Sequence, residues 1–322
     1  MESQHFLIKH KITNMLQLMA MFILLSSLIV YIALLIGGEI FAVFALTSVL
    51  FLYIGHPYIG PAFILKMYKA EPVPYDAAPV VYDLIDELSS RAGLSYSPKL
   101  YYIASGVINS FTVGRQDNSV IALSDGILRS LNYEELAGVI GHEISHIKSN
   151  DVRVMMFADI AGRILKVLSL LGQVLILLSL PLMLIGDFNI NWLPFLIIVF
   201  APLLSDLIQL GLSRIREYEA DIGSAMLLGD ARPLASALKK IDEYEHNYLS
   251  SIFSPVNKIP EPSLLRTHPK TGERISRLLA MQSEIKHTPV KHDQEILSGN
   301  RPHHYIVTGH RKPRRHFNGF WY

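Results

Sequence analysis

Cysteine is absent from this 322-residue chain. That excludes disulfides, a thiolate nucleophile and cysteine-ligated zinc together, so any metal must be held by histidine and carboxylate. Charge is scarce as well, with charged residues at 18% against 50% hydrophobic. The net charge is +1, and no basic face emerges outside the final stretch. Nucleic acid is therefore excluded as a partner, because holding phosphates needs clustered Lys and Arg. What the chain has in plenty is apolar runs. A mean hydropathy of +0.31 is the profile of a membrane protein with a soluble part.

Within residues 1–60, two such runs, about 15–38 and 40–58, are parted by Gly37, Gly38 and Glu39 and read as a transmembrane helical hairpin. The first is longer than a signal-peptide core and lacks a small-residue cleavage site, so it reads as a retained span. Runs 164–185 and 192–212, joined by an acidic turn at 186–191, read as a second hairpin over 164–212. The alternative for this pair is buried core helices of a large soluble fold. Lys9 and Lys11, Lys66 and Lys69, and Arg214 and Arg216 flank the runs, whereas the connecting turns carry no Lys or Arg. The N-terminus and the soluble part are then expected on the cytoplasmic side. Asp206 and Gln209 stand out within the fourth run; charge at membrane depth usually has a role or a partner, though here it lies near a wet end.

The soluble part opens at 71–163. Glu71 to Pro79 reads as a proline-rich linker, and Val81, Leu84, Ile85 and Leu88 form one stripe of a helix stopped by Gly93. Lys99 to Ile103, Val107 to Val113 and Ser119 to Leu123 are short, β-branched and aromatic, and read as a small antiparallel sheet. Its edge either receives an extended peptide or merely packs.

Gly141-His142-Glu143-Ile144-Ser145-His146 follows. Asn132 with Glu135 three residues on predicts a helix start, and Leu136, Val139, Ile140, Ile144 and Ile147 predict a buried stripe. On that helix His142 and His146 leave one face a turn apart and can grip one metal ion. Glu143 lies beside that ion, where a carboxylate can take a proton from water and pass it to a leaving nitrogen. A third ligand is needed. In Ser213-Arg214-Ile215-Arg216-Glu217-Tyr218-Glu219-Ala220-Asp221, Glu217 and Asp221 share a helix face, one to bind metal and one to orient a histidine. Taken alone, the same pattern reads as an exposed charged helix.

Together these residues resemble the HtpX family of membrane-bound zinc metalloproteases, related to the CAAX prenyl proteases. The likeness spans roughly residues 10 to 285 and rests on Gly141 to Asp151 and on Ser213-Arg214 through Asp221. Asn109-Ser110-Phe111-Thr112 is similar to the family's Asn-Ala-Phe-Ala strand, with Ser110 and Thr112 departing from it. The resemblance implies one Zn2+ per chain held by His142, His146 and Glu217, Glu143 as general base, and Asp221 behind His142. It also implies a substrate edge at Asn109, Ser110 and Phe111. Thr267-His268-Pro269 with Glu273-Arg274-Ile275 resembles a further family segment; His268 is either an oxyanion stabiliser or a turn residue.

The expected fold class is thus a mainly α membrane protein, with transmembrane helices and a cytoplasmic α+β zincin (gluzincin-like) domain built from 71–163 and 213–286. The tail at 287–322, histidine-rich and basic with an aromatic end, reads as flexible and solvated; contact with anionic lipid or weak metal binding are the alternatives. The implied function is a zinc endopeptidase of the cell membrane acting on misfolded or damaged membrane proteins. A processing protease of the prenyl-protease type and a zinc-stabilised scaffold that cuts nothing are the alternatives. Partners are then the bilayer and protein substrates, and nothing in the sequence speaks to oligomeric state.

Overall fold

A computed structural model describes residues 2–185, 192–252 and 271–282. The turn 186–191, His268 and the tail 287–322 lie outside the described residues. Elements run α1 (Glu2–Met67), β1 (Glu71–Pro72), α2 (Pro79–Ala92), β2 (Lys99–Ile103), β3 (Ser110–Arg115), β4 (Asn118–Ser124), α3 (Asp125–Ser130), α4 (Tyr133–Lys148), α5 (Asp151–Ile185), α6 (Trp192–Leu228), α7 (Arg232–Ile252) and α8 (Thr271–Met281). They form two compact units, one of residues 1–58 and 153–215, the other of 59–152 and 216–322.

The first unit is helical. Among the described residues three helices, lying in this unit or beginning in it, are long and apolar enough to cross a membrane, over Met15–Phe51, Phe157–Pro181 and Trp192–Leu228. The first two apolar runs of the sequence fall in one helical element that is broken at Gly37 and Gly38. Gly38 has φ +69°, a conformation glycine adopts without strain. Leu25, Ile29 and Ile32 pack with Ala161 and Leu165 of α5 and with Ile198 and Ala201 of α6. Ser169 donates to the Ile198 carbonyl. Outside this core Ile40, Phe44 and Phe51 are 82%, 71% and 77% exposed. Apolar surface bared to that extent on hydrogen-bond-complete helices suits lipid rather than water. Asp206, conspicuous in the sequence, pairs with Lys166 at 2.7 Å, and Gln209 donates to Ser205 at 3.0 Å.

In the second unit α2 buries Val81, Leu84, Ile85 and Leu88, the stripe its spacing predicts, and ends at Gly93 with φ +75°. The sheet is mixed, not antiparallel as the sequence suggested. Its order is β1-β2-β4-β3, with β2 and β4 parallel and β3 and β4 antiparallel. The physical reason lies in the connections. Arg115 to Asn118 close a tight hairpin, while the longer 104–109 segment carries β3 one strand further out, and β4 returns into the gap between β2 and β3. Glu71 and Pro72, expected in a linker, pair with Tyr102 and Tyr101 as a short edge strand, a position that tolerates proline. One sheet face and α2 enclose α4, whose Leu136, Ile140 and Ile144 are fully buried. Phe111, Val113, Val120 and Ala122 pack on the sheet's other side with Leu65.

Candidate metal centre

Helix α4 begins with the capping box its sequence predicts. Asn132 accepts from the Glu135 N–H at 2.8 Å, and Glu135 accepts from the Asn132 N–H at 2.9 Å. Glu135 also accepts from Ser236 and Lys240 of α7, at 2.7 and 2.6 Å, which ties the helix start to its neighbour.

The C-terminal part of α6 lies against α4 because the contact residues are small. A Cβ on Gly223 would fall 2.4 Å from the Ser145 hydroxyl, and one on Gly141 would fall 2.9 Å from the Ser224 hydroxyl. Ser224 donates to the Gly138 carbonyl at 2.7 Å. This close approach brings Glu217 and Asp221 beside His142 and His146.

The two Nε2 atoms of His142 and His146 stand 3.1 Å apart. Glu217 faces both, with Oε2 3.5 Å from His142 and Oε1 3.6 Å from His146. A tetrahedral ion with bonds of about 2.0–2.1 Å would set its donor atoms about 3.3–3.4 Å apart, so the three residues fit one metal ion. Behind them Asp221 lies 3.0 Å from His142 Nδ1, and Asp151 lies 2.8 Å from His146 Nδ1. His146 thus has its outer nitrogen hydrogen-bonded to a carboxylate and His142 has one facing it at ion-pair distance, which turns both Nε2 atoms toward the shared position.

Charge agrees with the distances. Glu143, Asp151, Glu217 and Asp221 are buried, as are Arg216 and Arg274. Four carboxylates against two guanidinium groups leave an excess of two negative charges, which a dication would balance. Burial works against the His142 imidazolium, yet the hydrogen bonds and charge of Asp221 and Glu217 overcome it and raise its pKa to about 9. The position therefore favours positive charge.

Of the sequence-predicted site residues, the structure brings together His142, His146, Glu217, Asp221 and Glu143. Glu143 is 6% exposed, and its two carboxylate oxygens accept from Ser110 at 2.7 Å and Thr112 at 2.8 Å. Phe111 points to the opposite face, into the core beside Tyr68. Asn109 has its N–H and C=O engaged by Ser124, so β3 proper starts at Ser110. Among the described residues β3 pairs on one side, with β4.

Three residues enter that the sequence reading left without a role. Asp151 reaches His146 because Asn150, at φ +55°, turns the chain straight after α4. Arg216 bridges Asp151 and Glu219, the latter at 2.6 Å. Arg274 from α8 grips both oxygens of Asp221, at 2.8 and 2.7 Å, and sits 3.1 Å from Glu217. Asp151 and Arg216 adjoin the two motifs, and that adjacency was the available signal; Arg274, 53 residues from Asp221, lies in the Glu273-Arg274-Ile275 segment that the family resemblance marked without giving it a role.

The model of peptidase family M48 matches residues 77–282. "Protease HtpX" of Legionella pneumophila (strain Lens) is 35% identical, covering 81% of this chain and 97% of that protein. "Protease HtpX homolog" of Pyrococcus furiosus is 34% identical, covering 81% and 93%. Among solved structures, the crystal structure of S. mikatae Ste24p aligns over 84% of this chain and 67% of that one at 23% identity, with a TM-score of 0.47. The chain belongs to peptidase family M48 and is a membrane metallopeptidase.

Proposed function

We propose that the chain is a zinc endopeptidase whose soluble part faces the cytoplasm and hydrolyses exposed segments of misfolded or damaged membrane proteins. The observation that carries this reading is the convergence of His142, His146 and Glu217 within 3.1–3.6 Å, with Glu143 on the next position of the same helix. The donor set is two imidazoles and a carboxylate, the His2Glu type of catalytic zinc site. The order of segments supports two membrane hairpins, 1–60 and 164–212, that interrupt a protease domain of 71–163 and 213–286. Lys9, Lys11, Lys66 and Lys69 support a cytoplasmic N-terminus and domain.

When bound, zinc supplies a Lewis acid that polarises the scissile carbonyl and lowers the pKa of water to about 7. The protein's own groups do the rest. His142 and His146 would hold the ion through Nε2, with Asp151 hydrogen-bonded to His146 Nδ1 and Asp221 facing His142 Nδ1, which favours the required tautomer. Against the opposing effect of burial, Arg274 together with His142 holds the Asp221 carboxyl below the usual carboxylate range, and Arg274 aligns both Asp221 and Glu217. A Glu143 carboxylate oxygen takes the proton from the attacking water and delivers it to the leaving amide nitrogen. An extended substrate lies along β3, whose side away from β4 offers backbone groups for strand addition.

The test uses the purified full chain in detergent. Zinc-loaded protein is expected to cut casein, Glu143→Gln to retain zinc and cut at least about 100-fold more slowly, and Glu217→Ala to lose zinc. Absence of cleavage by zinc-loaded protein, or unchanged cleavage by Glu143→Gln, would overturn the reading.

A further inference from the structure

Ser110 and Thr112 are two positions apart on β3, and both of their hydroxyls are directed at one carboxylate. Ser110 Oγ donates to Glu143 Oε1 at 2.7 Å and Thr112 Oγ1 donates to Oε2 at 2.8 Å. An ionised carboxylate is an acceptor alone, so the two hydroxyls are used as donors, one for each oxygen. Two donors on two different oxygens fix both the plane and the depth of the group, which a single bond leaves free to swivel.

The placement follows from strand geometry. Alternate side chains of β3 leave opposite faces, so Ser110 and Thr112 share one face while Phe111 and Val113 are buried on the other. The hydroxyl face meets α4 one position past His142. Both hydroxyls therefore hang from the strand that lies at the sheet edge.

We infer that Ser110 and Thr112 are positioning residues for the general base: they clamp the Glu143 carboxylate to strand β3, so that the base and the edge proposed to receive substrate move as one piece. This rests on the reading of Glu143 as base. Physically the clamp removes rotamer freedom that a Glu side chain would otherwise have to lose at each turnover, and well-oriented groups owe their efficiency to that prior loss. A base aligned in advance raises the rate of the chemical step and leaves substrate affinity untouched. The effect therefore belongs in kcat and not in KM.

The experiment compares Ser110→Ala, Thr112→Val and the pair with wild type on a quenched fluorescent peptide, with zinc content and thermal midpoint measured on each sample. Each single substitution is expected to lower kcat about tenfold, equivalent to about 1.4 kcal/mol. The pair lowers it further, while KM and zinc stoichiometry stay as in the wild type. Thr112→Ser, which returns a hydroxyl on a smaller frame, restores most of the rate lost in Thr112→Val. A kcat within twofold of wild type in the pair, or a rise, overturns the clamp, as does a loss confined to KM. Glu143→Gln run alongside separates the two ideas. If it remains active the base assignment itself has failed, whereas if it is dead and the hydroxyl variants are fully active only the clamp has failed.

Discussion

Asp151→Asn is the sharpest probe of the buried network, because the substitution keeps the shape and changes one atom. Asp151 is 3% exposed, with Oδ2 2.8 Å from His146 Nδ1 and Oδ1 against Arg216. Both partners are donors when His146 presents Nε2 as a ligand. An asparagine amide offers one acceptor oxygen and one NH2 group, so either orientation sets a donor against a donor. If the oxygen stays on His146, Arg216 loses a buried counter-charge and keeps Glu219 at 2.6 Å. If it stays on Arg216, His146 loses its orienting acceptor. A charge-assisted hydrogen bond of this kind contributes about 1.5–3 kcal/mol. Breaking a buried ion pair outright costs about 3–5 kcal/mol, and Glu219 keeps the loss here toward the lower end. Loss of an outer partner of a metal-binding histidine typically weakens metal affinity about 10–100-fold. Zinc competition against a chromogenic chelator and denaturant unfolding in detergent measure the two quantities. As a control, Asp230→Asn breaks the surface pair with Arg232 and should cost less than about 1 kcal/mol. If Asp151→Asn binds zinc within twofold of wild type and unfolds at the same midpoint, Asp151 does not orient His146.

Three further outcomes are expected. Gly223→Val places branched carbons where a single Cβ already meets Ser145 at 2.4 Å; α6 must then move off α4, and zinc content should fall even though no ligand is altered. Burial alone would raise the Glu135 pKa, but hydrogen bonds from Lys240, the Asn132 N–H and Ser236 outweigh it and hold it below the usual carboxylate value. A group depressed on folding stabilises above its unfolded pKa, about 4.3, and loses that contribution as pH falls through the folded value, so the stability gap between wild type and Glu135→Gln should narrow on acidification. Chelation should lower the thermal midpoint, since zinc held at 100 times its Kd adds about 2.7 kcal/mol that the apo protein lacks.

How far the site was legible depended on distance along the chain. His142, Glu143 and His146 lie within one helical turn, and Glu217 and Asp221 within another, so periodicity alone placed each group on a face. The stripe of α2 and the capping box of α4 were readable for the same reason. The order of the sheet was not. Strand propensity identifies β2, β3 and β4 but carries no record of which pairs with which, and β4 lies between β2 and β3 because of the 104–109 crossover. The partner of Arg274 was equally hidden. The resemblance marked its segment, but that partner depends on α8 returning to α6 across 53 residues, which no local pattern encodes. Ser110 and Thr112 looked in sequence like departures from a family strand, and only their register opposite α4 turns them into donors for Glu143.

The buried charges carry a consequence of their own. Taking Glu143, Asp151, Glu217 and Asp221 out of water is expensive, and Arg216 and Arg274 compensate for half of that charge. The remainder sits where His142 and His146 meet Glu217, so a dication held there would stabilise the fold and the chemistry through the same contacts. Strong coupling then follows between metal occupancy and the packing of α4 against the end of α6, and of that end against α8. Substitutions at Gly141, Gly223 and Ser224, where α4 and α6 touch, should therefore act on zinc affinity before they act on anything a substrate touches. Proton competition at His142 works in the same direction, since a site that draws a proton onto a ligand above neutral pH releases that proton when the metal enters.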